Sequence, residues 1–119
     1  MPLDWREGAL AQGLACFRSR QFFLAHEHWE DAWRDSAEPE KTFLQALIQI
    51  AAAFYHLSRG NALGAERLLR AAAGRLQRYP AEFAGVDIVA LRSNVRLWID
   101  ALAAGNTAPK LPYPEIRRE

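Results

Sequence analysis

The sequence predicts an all-α fold, a compact bundle of about five helices built on antiparallel helix hairpins, with an extended C-terminal tail. Half of the 119 residues are hydrophobic, and alanine, leucine, arginine and glutamate, which all favour helices, are abundant. Apolar residues recur at helical spacing in five segments, and no segment shows the alternation typical of a strand. We therefore expect one helical domain over residues 1–106 and a Pro-rich tail over residues 107–119.

The first two helices are predicted from their caps and apolar stripes. The first covers residues 4–18, because Asp4 is a suitable N-cap and Leu10, Leu14 and Phe17 follow at positions i, i+4 and i+7. A short break separates it from the second helix, residues 21–34. The apolar stripe of the second helix consists of Phe22, Ala25, Trp29, Ala32 and Trp33.

The third helix, residues 39–59, is predicted to lie at the centre of the bundle. Pro39 suits its first turn, and the Gly60-Asn61 pair is a stop signal that favours a left-handed residue. Apolar residues cover most of its circumference, as expected for a helix that packs on several neighbours. The exception is one narrow polar strip, formed by Gln45, Gln49, Ala52 and His56.

The fourth and fifth helices complete the predicted bundle. The fourth covers residues 62–78 and is ended by Tyr79-Pro80, while the fifth begins after the capping residue Asp87 and stops before Gly105-Asn106. Three prolines in the segment that follows predict an extended tail. The stripe of the fifth helix consists of Ile88, Leu91, Val95, Trp98, Ile99 and Leu102.

A weak internal repeat links the first two hairpins. Residues 17–25 parallel residues 57–65, which lie 40 positions further along the chain. The second copy resembles the helix-turn-helix of tetratricopeptide repeats, although those repeats have a period of about 34 residues. Because a solenoid needs about three repeats, we interpret the pattern as a shared antiparallel hairpin in a compact bundle.

Charge and composition limit the classes of partner and compartment. Fifteen basic residues face fourteen acidic ones, and the net charge of +1 gives no reason to expect nucleic acid or an anionic membrane as a partner. No apolar run approaches the roughly 20 residues of a membrane span, and the N-terminal residues lack the features of a signal peptide. A single cysteine, Cys16, fits a reducing environment, so we expect a cytoplasmic protein.

The sequence also suggests self-association. Four tryptophans and abundant apolar helix surface exceed what five short helices readily bury. Because two-fold dimers are the commonest assemblies, a homodimer is the expected form, in which the tail segment from Lys110 to Pro114 lies across a neighbouring copy.

Two polar residues interrupt the apolar face of the second helix. At 100° per residue, His26 falls inside one edge of the stripe and Glu30, four positions on, lies beside it. Burying such groups is costly unless they are paired. Glu30 has a simpler interpretation as an exposed ion pair with Arg34, and His26 as a histidine bonded to a backbone carbonyl.

The polar strip of the third helix suggests a confined polar surface. If the strip faced bulk water, lysine, glutamate or arginine would be the ordinary choices, yet it holds Gln45, Gln49 and His56. Because helices joined by a short loop usually pack antiparallel, we expect the strip to face His26 and Glu30, directly or through one water. The alternative is a glutamine ladder that only fixes the helix register.

Three hypotheses about function follow from these residues. The first is a small binding or interaction module with a polar pocket between the second and third helices, for an unknown small molecule or protein. The second is an enzyme, such as a metal-assisted hydrolase that uses the same cluster. The third is a purely structural network. The pocket candidates are His26, Glu30, Gln45, Gln49 and His56, with Trp29 and Trp33 as walls.

A metal or cofactor has little support in the sequence. His26, Glu30 and His56 are ligand types that suit zinc or non-haem iron. However, the segment that starts His26-Glu27 has Glu30 where the zinc-protease motif needs a second histidine, so that motif fails. No Gly-rich phosphate loop is present either. We therefore expect no cofactor and no tightly bound metal.

The segments AHEHWEDAW and FLQALIQIAAAFYHLSRGNALGA closely resemble the domain of unknown function 309 family. The resemblance covers about residues 17–76, and Ala46 replaces the glycine that usually follows the Leu-Gln pair. It implies an all-helical, cytoplasmic protein and no particular activity. The residues on motif positions are His26, Glu27, Trp29, Glu30, Trp33, Phe43, Gln45, Gln49, His56, Gly60, Asn61 and Ala65.

Overall fold

The structure, a computed structural model, describes residues 3–117, and five helices packed in sequence order form most of that part. Each helix packs on the one that follows it, so the predicted all-α bundle of helix hairpins is confirmed. Within residues 3–117, no helix is long and apolar enough to span a membrane. The helices are α1 (Gly8–Arg18), α2 (Phe22–Arg34), α3 (Glu40–Ser58), α4 (Ala62–Leu76) and α5 (Ile88–Ala103).

Helix α3 lies at the centre of the bundle, as its sequence predicts. It packs on α2 along one side and on α4 along the other. Because a helix between two neighbours must bury most of its surface, apolar residues surround it on nearly every side. The buried residues of α3 are Phe43, Leu44, Ala46, Leu47, Ile48, Ile50, Ala51, Ala53 and Phe54.

The same turn ends three of the helices. Arg20, Gly60 and Gly105 each have a positive φ, of 64°, 81° and 90° respectively. In each case the next residue donates its N–H to a carbonyl five positions back, which is the Schellman arrangement. The internal repeat of the sequence therefore corresponds to a repeated backbone geometry. The three bonds are Gln21 N to Cys16 O at 2.8 Å, Asn61 N to His56 O at 2.8 Å and Asn106 N to Ala101 O at 3.0 Å.

The caps of the helices agree only partly with the sequence prediction. Helix α5 is capped as predicted, because Asp87 Oδ1 accepts from Ala90 N at 2.9 Å. Helix α1, in contrast, begins at Gly8 and not at residue 4. Asp4 instead accepts from the N–H of Arg6 at 3.0 Å, and Gly8 has a φ of +63°, which is incompatible with an earlier start of the same helix.

A two-stranded hairpin corrects the prediction of no strand. Strand β1 (Glu82–Phe83) pairs with β2 (Val86–Asp87) in antiparallel register. The two turn residues, Ala84 and Gly85, both have positive φ, which is the condition for the tight turn that suits a two-residue hairpin loop. Strands of two residues are too short for alternation to reveal them in the sequence.

The C-terminal tail packs back on its own bundle. Residues 107–117 contain no helix or strand, yet Ile116 is buried and Tyr113 is half-buried. Within one chain the tail thus contacts its own bundle, and the expected contact with a neighbouring copy remains a prediction. The division of the chain at residue 106 remains a prediction.

Trp29 fills the space between α1 and α2. Its side chain is 0 % exposed, and its Nε1 donates to Leu10 O at 3.2 Å. Its indole stacks on the ring of Phe17, with centroids 5.5 Å apart. A Cβ built on Gly13 would lie 2.3 Å from the indole, so α1 approaches α2 closely only because residue 13 has no side chain.

We predict opposite effects for two Gly→Ala substitutions in helices. Gly13→Ala should lower the free energy of unfolding by about 1–3 kcal/mol, since the added methyl overpacks a rigid indole. Gly74→Ala, where nothing lies within 4 Å of the added Cβ, should raise it by about 0.5–1 kcal/mol through helix propensity. Urea melts of both variants and the parent measure this difference, and a neutral Gly13→Ala would contradict the packing argument.

Candidate functional site

His26 and Glu30 form the predicted pair on one face of α2. His26 Nε2 lies 3.6 Å from Glu30 Oε2, and the two side chains are 25 % and 40 % exposed. The second ring nitrogen, His26 Nδ1, is buried and has no hydrogen-bond partner among residues 3–117. An unpaired buried nitrogen costs about 1–3 kcal/mol, so His26 is a poor choice for stability alone.

The polar strip of α3 faces α4 and the turn before it. Gln49 Oε1 accepts from Arg75 Nε of α4 at 3.2 Å. The Nδ1 atom of His56 lies 3.3 Å from Asn61 Nδ2, in the turn between α3 and α4. Gln45 is half-buried in the same strip. Within residues 3–117, no direct hydrogen bond joins the strip to His26 or Glu30, and a contact through one water remains a prediction.

Of the two tryptophans expected as pocket walls, Trp29 is not available to a ligand. Trp29 belongs to the core, and its fully buried indole offers no surface to a ligand. Trp33 is half-buried at the other end of α2, where the Nζ of Lys41 lies 4.0 Å from its ring centroid. This cation–π contact holds the indole in place, and the role of Trp33 as a pocket wall remains a prediction.

Aromatic rings nevertheless connect α2 to the end of α3. The ring of Phe23 lies 5.8 Å from that of His26 and 5.1 Å from that of Tyr55. Tyr55 in turn lies 5.9 Å from His56. We call these four residues, His26, Phe23, Tyr55 and His56, the ring row. The ring row thus brings together the two histidines that the sequence singled out, through contacts between rings.

Phe23 and Tyr55 are the members of the ring row that the sequence analysis missed. Phe23 is 45 % exposed, which is unusual for a phenylalanine, and Leu24 beside it is equally exposed. The internal repeat carries a usable signal, because Phe23 and Leu63 occupy equivalent positions and Leu63 is 58 % exposed. In both copies, a large apolar residue that stands three positions after the turn residue of positive φ is exposed.

The chemistry available at the ring row is apolar contact combined with hydrogen bonding. Its rings present flat apolar surface, the carboxylate of Glu30 accepts hydrogen bonds, and the guanidinium of Arg59 lies 6.0 Å from the Tyr55 ring. Among residues 3–117, no group of three or more histidine, cysteine or acidic side chains is placed to hold a metal ion. His26, Glu30 and His56 are therefore not arranged as a three-ligand site.

Two groups with shifted pKa values, Glu38 and Tyr79, lie near the start of α3, at the end away from the ring row. Hydrogen bonds from the Thr42 hydroxyl and backbone N–H hold the pKa of Glu38 below its usual value. Burial raises the pKa of the Tyr79 hydroxyl, which donates to Pro39 O at 2.7 Å. These contacts fix the start of α3 and do not involve the ring row.

The comparison with known proteins agrees with the resemblance in the sequence. Residues 10–68 match the model of the family described as "Domain of unknown function (DUF309)". This segment, which contains most of α1, all of α2 and α3 and the first half of α4, is thus similar to that family.

A relative with a curated name is "Uncharacterized protein YpuF" of Bacillus subtilis (strain 168). It is 38 % identical over 52 residues, which cover 43 % of this chain and 30 % of that protein. The matched stretch is thus less than a third of the length of the relative. The family description and the name of the relative both leave the biochemical function unknown.

We predict that His26→Leu stabilises the protein. The substitution removes the unpaired Nδ1 and keeps most of the buried volume, which should add about 1 kcal/mol to the free energy of unfolding. The lost pair with Glu30 is partly exposed and is worth only about 0.5 kcal/mol. In the matched variant His28→Leu, at a half-buried site on the same helix, the change should stay within about 0.5 kcal/mol.

Urea denaturation followed by tryptophan fluorescence compares these variants with the parent. A loss of more than about 1 kcal/mol in His26→Leu would instead support the structural-network hypothesis, in which the imidazole is needed for folding.

Proposed function

We propose that this chain is a small helical binding module that engages a partner protein through the ring row. The observation that carries this proposal is the run of four neighbouring rings from α2 to α3, in which Phe23, between His26 and Tyr55, is 45 % exposed. Exposed aromatic side chains beside polar ones are typical of interaction surfaces.

A protein partner fits the ring row better than a small molecule. The row spans two helices along the outside of the bundle and includes an exposed phenylalanine, whereas small-molecule sites are usually concave and mostly enclosed. The net charge of +1 offers no electrostatic attraction for nucleic acid. The single cysteine and the absence of a membrane-spanning helix within residues 3–117 fit a cytoplasmic location for this activity.

His26 and Glu30 add a polar edge to the apolar centre of the row. Polar edges around aromatic centres are the usual arrangement of protein interfaces. The carboxylate of Glu30 is 40 % exposed and accepts hydrogen bonds from a partner, while His26 holds it in place from the same face of α2. Selection for binding explains why a stability cost at His26 is retained.

The internal repeat supports an outward role for Phe23. Its equivalent, Leu63, is the first large side chain after the same turn in the second hairpin and is also exposed. The equivalent positions of the two hairpins thus both present an exposed apolar side chain.

A second copy of the chain is one partner that this surface fits. In a two-fold dimer, Phe23 and Leu24 of both copies would bury the same apolar patch, as an isologous interface requires. Light scattering at tens of micromolar tests this form, and a dimer that Phe23→Ser converts to a monomer would identify the second copy as the partner.

We predict that Phe23→Ser abolishes partner binding without unfolding the protein. The tagged parent, Phe23→Ser and Leu97→Ser are used as baits in extracts of the source cells, and recovered proteins are quantified by mass spectrometry. Leu97 is the matched control, because it is a similarly exposed apolar residue, on α5. Removal of an aromatic hot spot should reduce recovery of the partner by at least about tenfold, whereas Leu97→Ser should leave it unchanged.

Thermal melts of all three baits confirm that the chains are folded. Equal recovery of the same proteins by Phe23→Ser and Leu97→Ser would refute the assignment of the ring row as the binding surface.

A further inference from the structure

The ring of Tyr113, in the C-terminal tail, packs among three aromatic rings of the bundle. Its ring centroid lies 5.4 Å from that of Phe22, 5.0 Å from that of Phe54 and 5.3 Å from that of Trp98. The guanidinium carbon of Arg20 lies 4.3 Å from the same centroid. One side chain of an extended segment is thus held by residues from α2, α3 and α5 and from the turn before α2.

The backbone of the tail is held by side chains as well. The carbonyl oxygen of Pro112 accepts from Asn94 Nδ2 at 2.8 Å and from Trp98 Nε1 at 2.9 Å. Both donors lie on α5, one helical turn apart. Side chains that bind the main chain of an extended segment recognise it largely independently of its sequence, which is typical of peptide grooves.

The side-chain amide of Asn94 binds the tail through its donor only. Asn94 Oδ1 is buried and has no hydrogen-bond partner among residues 3–117. A primary amide offers a donor and an acceptor side by side, and an extended residue presents its own N–H and C=O towards the same side. The residue held by Asn94 is a proline, which has no N–H to donate. Pro112 therefore cannot supply a donor to this acceptor.

The tail also leaves space beside it. A half-open cavity of about 460 Å³ lies between the tail and the start of α5. Gly85, Ala90 and Asn94 line it on the side of the bundle, and Pro112 and Ile116 line it on the side of the tail. The tail thus does not fill the space beside the start of α5.

We propose that this surface, formed by Arg20, Phe22, Phe54, Asn94 and Trp98 and called here the tail groove, binds an extended segment of a partner protein. The preferred segment places an aromatic residue where Tyr113 lies in this structure, and it has a residue other than proline just before that aromatic residue. The N–H of that preceding residue pairs with Asn94 Oδ1. The tail of this chain competes for the same surface but leaves Asn94 Oδ1 without a hydrogen bond. This proposal concerns residues outside the ring row and stands independently of the proposed function.

The test uses the full chain carrying Tyr113→Ala, which loosens the competing tail, and two fluorescent peptides. One peptide has the sequence of residues 108–117, and the other has alanine in the place of Pro112. Fluorescence anisotropy should show that the folded variant binds the alanine peptide about fivefold more tightly, as expected for one added hydrogen bond. Adding Asn94→Ala should remove this preference, whereas Arg92→Ala, at an exposed position on α5, should keep it.

Equal affinity for the two peptides, or no binding by a folded Tyr113→Ala chain, would overturn the proposal. A dimer of the parent chain that exchanges its tails, seen by light scattering, together with no peptide binding, would identify a second copy as the occupant and would also overturn it.

A second measurement does not depend on loosening the tail. In the full chain carrying only Pro112→Ala, the new N–H of residue 112 should exchange with solvent at least about tenfold more slowly than in Pro112→Ala combined with Asn94→Ala. Hydrogen exchange followed by nuclear magnetic resonance measures the exchange rate of this single N–H. The same exchange rate in both chains would show that Asn94 does not recognise the residue at this position.

Discussion

The burial of Trp29 against Gly13 is the constraint on which the rest of the structure depends. A tryptophan with no exposed surface needs both space and an acceptor for its N–H, and α1 supplies both, through Gly13 and the carbonyl of Leu10. The contact fixes how α2 is rotated about its own axis. His26 stands three positions before Trp29, which places it about 60° away around the helix, on the side of α2 that faces α3. Phe23 lies further out on that side.

The aromatic contacts extend this constraint through the molecule. Phe17 stacks on Trp29 and meets Phe22 edge-on, and Phe22 in turn contacts Phe54 and Tyr113. Each ring is thus positioned by the preceding one, from the start of the bundle to its C-terminal tail. The turn at Arg20 belongs to the same arrangement. A positive φ is unfavourable for arginine, and the contact between its guanidinium and Tyr113 helps to offset that cost.

The sequence predicted what local rules determine. Helix periodicity identified five helices and the central place of α3, and Asp87 and Gly60 marked helix ends correctly because capping depends on neighbouring residues. The pair of His26 and Glu30 was predictable for the same reason, since both lie on one helix.

Other features depend on information that a single helix does not contain. A helical wheel gives the direction of Gln49 but not which neighbouring helix lies in that direction, and the neighbour proved to be α4 and not α2. The position of the tail depends on contacts between residues far apart in the chain, such as Trp98 with Pro112, and an extended segment has no periodicity from which to infer them. The full burial of Trp29 depends on the missing side chain of Gly13, and this dependence is visible only in the contact between α1 and α2.

The ring row and the tail groove meet at one contact between α2 and α3. Phe22 and Phe54 lie in the tail groove, 5.3 Å apart, and their next neighbours in the sequence, Phe23 and Tyr55, lie in the ring row, 5.1 Å apart. Adjacent helical residues point about 100° apart, so each pair serves a different surface of the same two helices. A segment that displaces Tyr113 therefore changes the packing on Phe22 and Phe54, directly behind the residues that we propose bind a partner.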